Sequence, residues 1–382
     1  MDKETRNIPK EKFERVQVQE ELGEQLSRPQ LSYWKDAFLR LSKNTGAIAG
    51  LIVLVFIIIM SLVGPIMNDK AFDDPNYDAA YLPPKVSGLE WLGLDGTQKF
   101  QVEGSTEEDA IQRGLEGYEF DEQYVKDTEV LATPEESANG YYKVELEVDV
   151  YAAKGFEDEH FWFGTDNMGR DLWTRIWKGT QISLYIGILA ALIDMAIGVL
   201  YGGISGYYGG RTDSVMQRII EVLSGIPNLV IVILMILVMK PGLMAITVAI
   251  AITGWIGMAR IVRGQVLKLK GQEFILASRT LGATDNRILM KHLIPNVLSI
   301  IVINTMFTIP SAIFFESFLS FIGLGLQPPH ASLGSLIESA FQDYRVYPYL
   351  LVFPAVIISL LMIGFNILAD GLRDALDPKM RR

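Results

Sequence analysis

Six long apolar runs constrain the fold of this chain more than any other feature of its sequence. A bilayer core about 30 Å thick requires about 20 consecutive apolar residues in a helix, so each run can cross a membrane once. A buried core helix would explain one such run, but not six within 382 residues. We therefore predict a mainly α, polytopic membrane protein with six transmembrane helices. The runs are Gly46 to Met67, Ile182 to Tyr201, Ile219 to Met239, Leu243 to Ala259, Leu298 to Ile322 and Tyr347 to Leu368.

The distribution of charge predicts the orientation of these helices, because Lys and Arg are enriched in cytoplasmic loops. Residues 1–45 carry nine Lys or Arg, and residues 260–292 carry seven against two acids. Four further basic residues follow the sixth run. Six crossings place these three segments on one side, so we predict a plasma-membrane protein with both termini in the cytoplasm. Within the tail 1–45, Tyr33 to Lys43 predicts a helix on the inner membrane surface or an extension of the first run.

Residues 68–164 fall on the opposite side of the membrane and carry most of the negative charge. They contain 24 Asp or Glu and seven Lys or Arg, whereas the net charge of the whole chain is −11. Tyr142 to Val150 alternates apolar and charged residues, which is typical of a strand, and Lys99 to Val102 predicts another. Glu107 to Leu115 predicts a short helix. We expect a small α/β extracytoplasmic domain with an acidic outer surface.

The composition excludes several kinds of chemistry. Without cysteine there is no disulfide, no thiolate nucleophile and no Cys-ligated metal. No G-x-x-x-x-G-K-[ST] loop is present, so this chain does not hydrolyse ATP by that mechanism. The net negative charge argues against nucleic-acid binding. His160, His292 and His330 are far apart in sequence, so we expect no metal site. We also expect no cofactor and no catalytic residue in this chain.

The basic segment 260–292 is more than a plain connector, because Glu273 to Ala283 predicts a short helix inside it. Glu273 lies in the first turn, where an acid favours the helix dipole. Gly282 ends the helix, and a capped second helix follows. Such a helix between two spans suits docking into a groove of a cytoplasmic partner, and the alternative is a helix lying passively on the membrane. The face of this helix that is predicted to dock consists of Phe274, Ala277, Ser278 and Leu281.

Seven glycines in and near the second run predict close packing of that helix against a neighbour, because small residues let transmembrane helices approach each other. They are Gly187, Gly198, Gly202, Gly203, Gly206, Gly209 and Gly210.

The pattern from Leu276 to Pro295 resembles the EAA loop of ABC importer permeases. That loop reads E-A-A, three residues, G, nine residues and I-x-L-P, and the spacing here fits without a gap. Ala277, Gly282 and Pro295 match the consensus. The departures from it are at Leu276, Ser278, His292 and Ile294.

Further stretches resemble the oligopeptide, dipeptide and nickel branch of that family. They are GTDNMGRD at 164–171, SFLSFIGLG at 317–325 and DGLRDALDP at 370–378, together with HLIPN at 292–296. Their order, combined with six spans, identifies the chain as a C-type permease subunit by resemblance. The resemblance covers residues 36–68 and 163–382, and the segment between them looks like an insertion.

The resemblance implies the type I importer permease fold, with a first span at 46–67 and a permease core at 165–382. It implies half of a translocation path for oligopeptides, completed by a second homologous permease subunit. It also implies two ABC ATPase subunits, which would bind ATP and Mg, an extracytoplasmic peptide-binding protein, and contact with membrane lipid. The ATPase-coupling residues implied by the resemblance are Glu273, Phe274, Ala277, Ser278, Gly282, Ala283 and Pro295.

Three acids lie within the apolar runs, where charge is costly and often functional. Asp194, Glu221 and Glu316 are candidates for the translocation path, and hydrogen bonding between helices is the alternative. Glu316 is favoured for the path because Pro310 frees a backbone carbonyl in the same run.

Alternative functions stay open at this point. A dipeptide or nickel importer of the same branch has the same features. A membrane receptor with an acidic external sensing domain is an alternative from another class, although no signalling domain is recognisable. A membrane enzyme lacks support, because no nucleophile–base pair or metal-ligand spacing is evident.

Overall fold

A computed structural model of the protein describes residues 33–327 and 329–376, so the tail 1–32 and residues 377–382 lie outside the described part. The strands are β1 (Thr97–Gly104), β2 (Val125–Ala132) and β3 (Tyr142–Asp149). The helices are α1 (Tyr33–Leu41), α2 (Thr45–Val63), α3 (Glu107–Tyr118), α4 (Val150–Lys154), α5 (Leu172–Tyr208), α6 (Gly210–Ser224), α7 (Asn228–Met239), α8 (Leu243–Thr253), α9 (Ile256–Leu269), α10 (Glu273–Thr280), α11 (Asp285–Arg287), α12 (Ile294–Phe321), α13 (Leu333–Ala340) and α14 (Tyr349–Leu376).

Five helical segments in the described part are long and apolar enough to cross a membrane, and a bent pair makes a sixth if it counts as one span. Each contains or overlaps one predicted run. Two of them combine adjacent elements, since α8 continues into α9 and a π-helical turn, Ile288–Leu293, joins α11 to α12. The segments are Thr45–Ile66, Leu172–Tyr208, Leu243–Leu269, Asp285–Phe321 and Tyr349–Leu376.

The third predicted run is not one continuous helix, and the prediction of a single helix over Ile219 to Met239 is wrong. The chain breaks between α6 and α7, which are inclined by 77°. Pro227 has no N–H to donate and disfavours helical geometry at Ile226, so the helix ends before this pair. The Gly225 N–H bonds back to the carbonyl of Glu221 and closes the last turn of α6.

The helix α1 is separate from the first span, so it is not an extension of it. Asn44 caps α2, because its side chain accepts from the Ala47 N–H at 3.1 Å. Ala37 of α1 is buried. At Gly371 of α14 an added Cβ would lie 3.5 Å from a Leu41 methyl, so α1 packs against the end of the last span.

Close backbone packing joins α5 to α9. A Cβ added at Gly202 would lie 2.3 Å from the Ala259 carbonyl oxygen, and one at Gly206 would lie 2.9 Å from the Arg263 carbonyl oxygen. Gly198, one turn earlier, faces Met258 in the same way. The predicted close approach is therefore confirmed at Gly198, Gly202 and Gly206, where the partner is α9, and at Gly187, where the partner is α12.

The sheet occupies part of the acidic segment, with antiparallel strands in the order β1-β3-β2. The two predicted strands and the predicted helix lie in β1, β3 and α3. Apolar side chains of β1 and β3, among them Phe100 and Leu146, face α3 and are buried. On the opposite face Lys99 bonds to Glu145 at 2.9 Å. Strand β2 was not predicted, because its side chains are mostly exposed and its sequence, VKDTEVLA, does not alternate regularly.

The sheet is fastened to the segment that leads into α14. The Gln98 side chain donates to the Val346 carbonyl at 2.8 Å. The rings of Tyr81 and Tyr347 stack at 4.2 Å, and the Tyr81 hydroxyl donates to Asp343 at 2.9 Å. Burial and the neighbouring Asp343 carboxylate raise the pKa of Tyr81 well above its usual range, so this hydroxyl stays a donor at physiological pH.

We expect Gly202→Ala to destabilise the protein by about 1–3 kcal/mol, because the added methyl group forces α5 and α9 apart. Gly203→Ala is the matched control, since its Cβ would meet only Leu289 methyl groups at 3.4 Å and beyond. The measurement is the apparent melting temperature of the purified protein in detergent. Equal melting temperatures for the two variants would contradict the packing described for α5 and α9.

Candidate functional site

The helix α10, in the loop between α9 and α12, buries a single side chain. Ile275 is fully buried and packs in a cluster that includes Val266 and Leu289. Phe274 is 43% exposed and Leu281, just after the helix, is 88% exposed. The predicted apolar face of this helix is therefore turned away from the rest of the chain.

The structure brings six of the seven predicted coupling residues together. Glu273, Phe274 and Ala277 are exposed on α10, and Ser278 is half-buried. Its hydroxyl donates to the Phe274 carbonyl at 2.8 Å. Gly282 and Ala283 follow directly after the helix. The seventh residue, Pro295, lies apart from this face, in the first turn of α12.

Gly282 ends α10 in a Schellman motif. Its φ of +79° is in the left-handed region that favours glycine. The Ala283 N–H bonds to the Ser278 carbonyl at 3.1 Å, and the Gly282 N–H bonds to the Arg279 carbonyl at 3.0 Å. No atom lies within 4 Å of a Cβ added at Gly282, so a side chain there would project from the exposed face.

Polar contacts fix the loop to the end of α5. The Tyr207 hydroxyl donates to the Asp285 carboxylate at 2.6 Å and accepts from the Arg279 guanidinium at 3.3 Å. Beside them, Arg263 of α9 makes two bonds of 2.6 Å to Asp213 of α6. The loop is therefore bonded to the end of α5, and α9 is bonded to α6.

A cavity of about 360 Å³ lies between α5, α7, α8, α9 and α12. Its wall is mainly apolar, with side chains such as Ile250, Phe307 and Phe315. The polar side chains that line it are Asp194, Asn228, Thr253, Asn304, Thr308 and Ser311.

Asp194 is the one predicted intramembrane acid that lines this cavity. The residue is 5% exposed, and its Oδ2 accepts from the Thr308 hydroxyl at 2.6 Å. Its Oδ1 has no hydrogen-bond partner among the described residues. The neutral residues Thr308 and Asn304 were not predicted as site residues. Their spacing of four on one face of α12 was the available signal, because polar side chains are rare in a lipid-crossing helix.

The other two acids are placed elsewhere. Glu221 lies on α6 and pairs with Arg218 at 2.7 Å, with both side chains more than half exposed. Glu316 is fully buried, and the hydroxyls of Ser320 and Ser332 bond to its Oε1 at 2.7 and 2.5 Å. A longer contact of 3.4 Å joins Ser183 to its Oε2. Neither acid lines the cavity beside Asp194.

The stretch GTDNMGRD folds into a tight charged turn at the start of α5. Asp166 pairs with Arg170 at 2.8 Å and with Arg175 at 3.2 Å. Asp171 caps α5 by accepting from the Thr174 N–H at 2.8 Å. A Cβ at Gly169 would lie 1.7 Å from the Asn76 carbonyl oxygen, which explains the second glycine of this stretch.

Comparison with known proteins decides the family. Residues 198–382 match the model of the binding-protein-dependent transport system inner membrane component, and residues 32–84 match the N-terminal transmembrane domain of oligopeptide transport permease C. The dipeptide transport system permease protein DppC of Bacillus subtilis is 40% identical over 98% of this chain and 95% of that protein. This chain belongs to the same permease family. It is therefore a non-catalytic, multi-pass membrane subunit of an ABC importer, as the resemblance of its motifs predicted.

Two OppC proteins agree with this assignment to the permease family. The oligopeptide transport system permease protein OppC is 39% identical in Bacillus subtilis, over 98% of this chain and 99% of that protein. The Escherichia coli OppC is 35% identical over 95% of this chain and 96% of that protein. Among solved structures, the inward-facing MetNI methionine ABC transporter is 20% identical, with a TM-score of 0.45, over 53% of this chain and 96% of that chain. The receptor interpretation is not supported.

We expect Glu316→Leu to destabilise this permease by several kcal/mol, because each buried serine hydroxyl left without its acceptor costs about 1–3 kcal/mol. Glu316→Gln keeps an acceptor oxygen at the same position and is the matched control. The purified wild type and Glu316→Gln should unfold at similar temperatures, and Glu316→Leu should unfold at a lower temperature. If Leu unfolded at the same temperature as Gln, the serine–glutamate contacts would not stabilise this end of α12.

Proposed function

We propose that this permease forms half of the translocation path of an ATP-driven importer of oligopeptides in the plasma membrane. The observation that carries the substrate class is similarity over nearly the full length of the Bacillus subtilis OppC. Dipeptides are a second candidate, because the Bacillus subtilis DppC is similar to the same degree.

The proposed coupling site is the exposed apolar face of α10 with the turn that follows it. Two ABC ATPase subunits would bind ATP and Mg, and one of them would receive Phe274 and Leu281 in a cleft. These exposed side chains support the proposal, because large apolar side chains in an otherwise polar loop favour a protein contact. The contacts of Tyr207 with Arg279 and Asp285 would pass the movement of α10 to the membrane helices.

The proposed path runs through the cavity lined by Asp194, and a second homologous permease subunit would complete it. The polar groups on an apolar wall support this, because a route for peptides must accept both backbone and apolar side chains. We assign Glu316 to fastening α12 to the start of α13, where Ser332 is the cap residue. Glu221 is assigned to the surface of α6.

The proposed orientation puts both termini and α10 in the cytoplasm and the acidic segment 68–164 outside. The excess of Lys and Arg in residues 1–45 and 260–292 supports it. An extracytoplasmic binding protein would deliver the peptide to the outer side. We also propose that the sheet and α3 form a small α/β insertion domain, because residues 85–197 fall between the two family matches.

We expect Gly282→Asp to lower transport at least tenfold while leaving membrane insertion and the melting temperature nearly unchanged. Asp tolerates the left-handed conformation better than most residues, and its charge would project into the proposed ATPase contact. Gly282→Ala tests backbone strain without charge and should retain most of the transport. The measurements are ATP-driven uptake and the amount of ATPase subunit that co-purifies. Normal uptake by Gly282→Asp would contradict the coupling site.

Uptake of a labelled peptide of four to six residues tests the substrate class. We expect cells that lack this chain to lose energy-dependent uptake, and cells in which it is restored to regain it. Strains without other peptide importers are needed as the background. If uptake of these peptides did not change, labelled dipeptides and nickel would identify the alternative importers of the same branch.

A further inference from the structure

Asp194 lines the membrane cavity, and its carboxylate has an acceptor that no side chain or backbone group of the described residues uses. The residue is 95% buried, and one of its oxygens accepts a single bond from Thr308. The other oxygen has no hydrogen-bond partner among the described residues. A buried polar atom in this condition is uncommon, because each missing hydrogen bond costs free energy.

The surroundings of Asp194 supply no positive charge. The cavity wall consists of apolar residues and the neutral side chains of Asn, Ser and Thr, and Asp194 is the one ionisable residue among its described lining. No Lys, Arg or His in the described part of the chain forms an ion pair with it. A carboxylate buried without a cation is costly, and a positively charged group that arrives from outside the chain would lower that cost.

Glu316 is an internal reference for this interpretation. It is also buried, yet both of its oxygens are contacted by serine hydroxyls, and it does not line the cavity. The same fold therefore gives hydrogen-bond donors to both oxygens of Glu316, whereas it leaves one oxygen of Asp194, a residue that lines the cavity, without a donor. The bond from Thr308 joins two helices, and it leaves the second oxygen of Asp194 for a donor from outside the chain.

We propose that Asp194 binds the α-ammonium group of a peptide as it passes through the cavity, an inference that rests on the proposed function. An ammonium offers three N–H donors, of which one would meet the free Oδ1. The amino terminus is common to all unmodified peptides, so one fixed acid would serve any sequence. The apolar walls at Ile250, Phe307 and Phe315 would accommodate varied side chains without specific bonds. The volume of about 360 Å³ lies within the range of small-ligand sites.

Asp194→Asn is the decisive variant, because it keeps the shape and the acceptor for Thr308 but removes the charge. The complete complex, with its permease partner, ATPases and peptide-loaded binding protein, is reconstituted in vesicles. Initial uptake of tetra-alanine is compared with that of N-acetyl-tetra-alanine, each delivered by binding protein below saturation. We expect wild type to import the free-amine peptide at least tenfold faster than the acetylated one, the loss expected for one charge-assisted hydrogen bond.

In Asp194→Asn the ratio of tetra-alanine uptake to N-acetyl-tetra-alanine uptake should fall to about one, because only the uptake of tetra-alanine becomes slower. Glu221→Gln, which removes an exposed acid outside the cavity, should keep the wild-type preference. Equal slowing of both peptides would overturn the proposal, because it would assign Asp194 to structure or to an inorganic cation. An unchanged preference in Asp194→Asn would overturn it too. Failure of wild type to import either peptide would instead contradict the proposed function.

Discussion

The close contact of α5 with α9 is the interaction on which the rest of the permease core depends. Glycines spaced by four let the two backbones approach where any side chain would collide, at Gly202 against Ala259 and at Gly206 against Arg263. One end of this contact reaches the cavity, where Asp194 and Met258 lie on the two helices. The other end positions Tyr207 and the cluster around Ile275 beside the loop that carries α10. The cavity and the loop helix are therefore built on one rigid pair.

Local features of the sequence predicted much of this architecture. Apolar runs located the spans, alternation located β1 and β3, and the spacing around Gly282 located α10 and its end. Each of these signals depends on residues close together in the chain. The break at Pro227 also has a local signal, which is the proline itself. The prediction missed it because the surrounding run of apolar residues is continuous. Hydropathy measures how residues partition into lipid and is insensitive to a missing N–H.

The three intramembrane acids illustrate what the sequence could not supply. All three lie in apolar runs, yet one is exposed beside Arg218, one is enclosed by serines, and one lines the cavity. Their environments are set by residues far away in the chain, such as Ser183 and Ser332 for Glu316 and Thr308 for Asp194. Periodicity reports which face of its own helix a residue occupies, but not which helix covers that face. The sequence therefore identified candidates, and the packing of helices distinguished them.

The attachment of the sheet to the segment before α14 has a mechanical consequence. Tyr81 stacked on Tyr347 and Gln98 bonded to Val346 connect the sheet to the residues that lead directly into the last membrane helix. That helix also packs against α2 where Gly50 approaches Gly364. The side chains that tie the sheet to this segment are separate from the glycines that pack α14 against α2, so the last membrane helix is restrained at its start as well as along its length. The sheet therefore helps to fix where that helix begins.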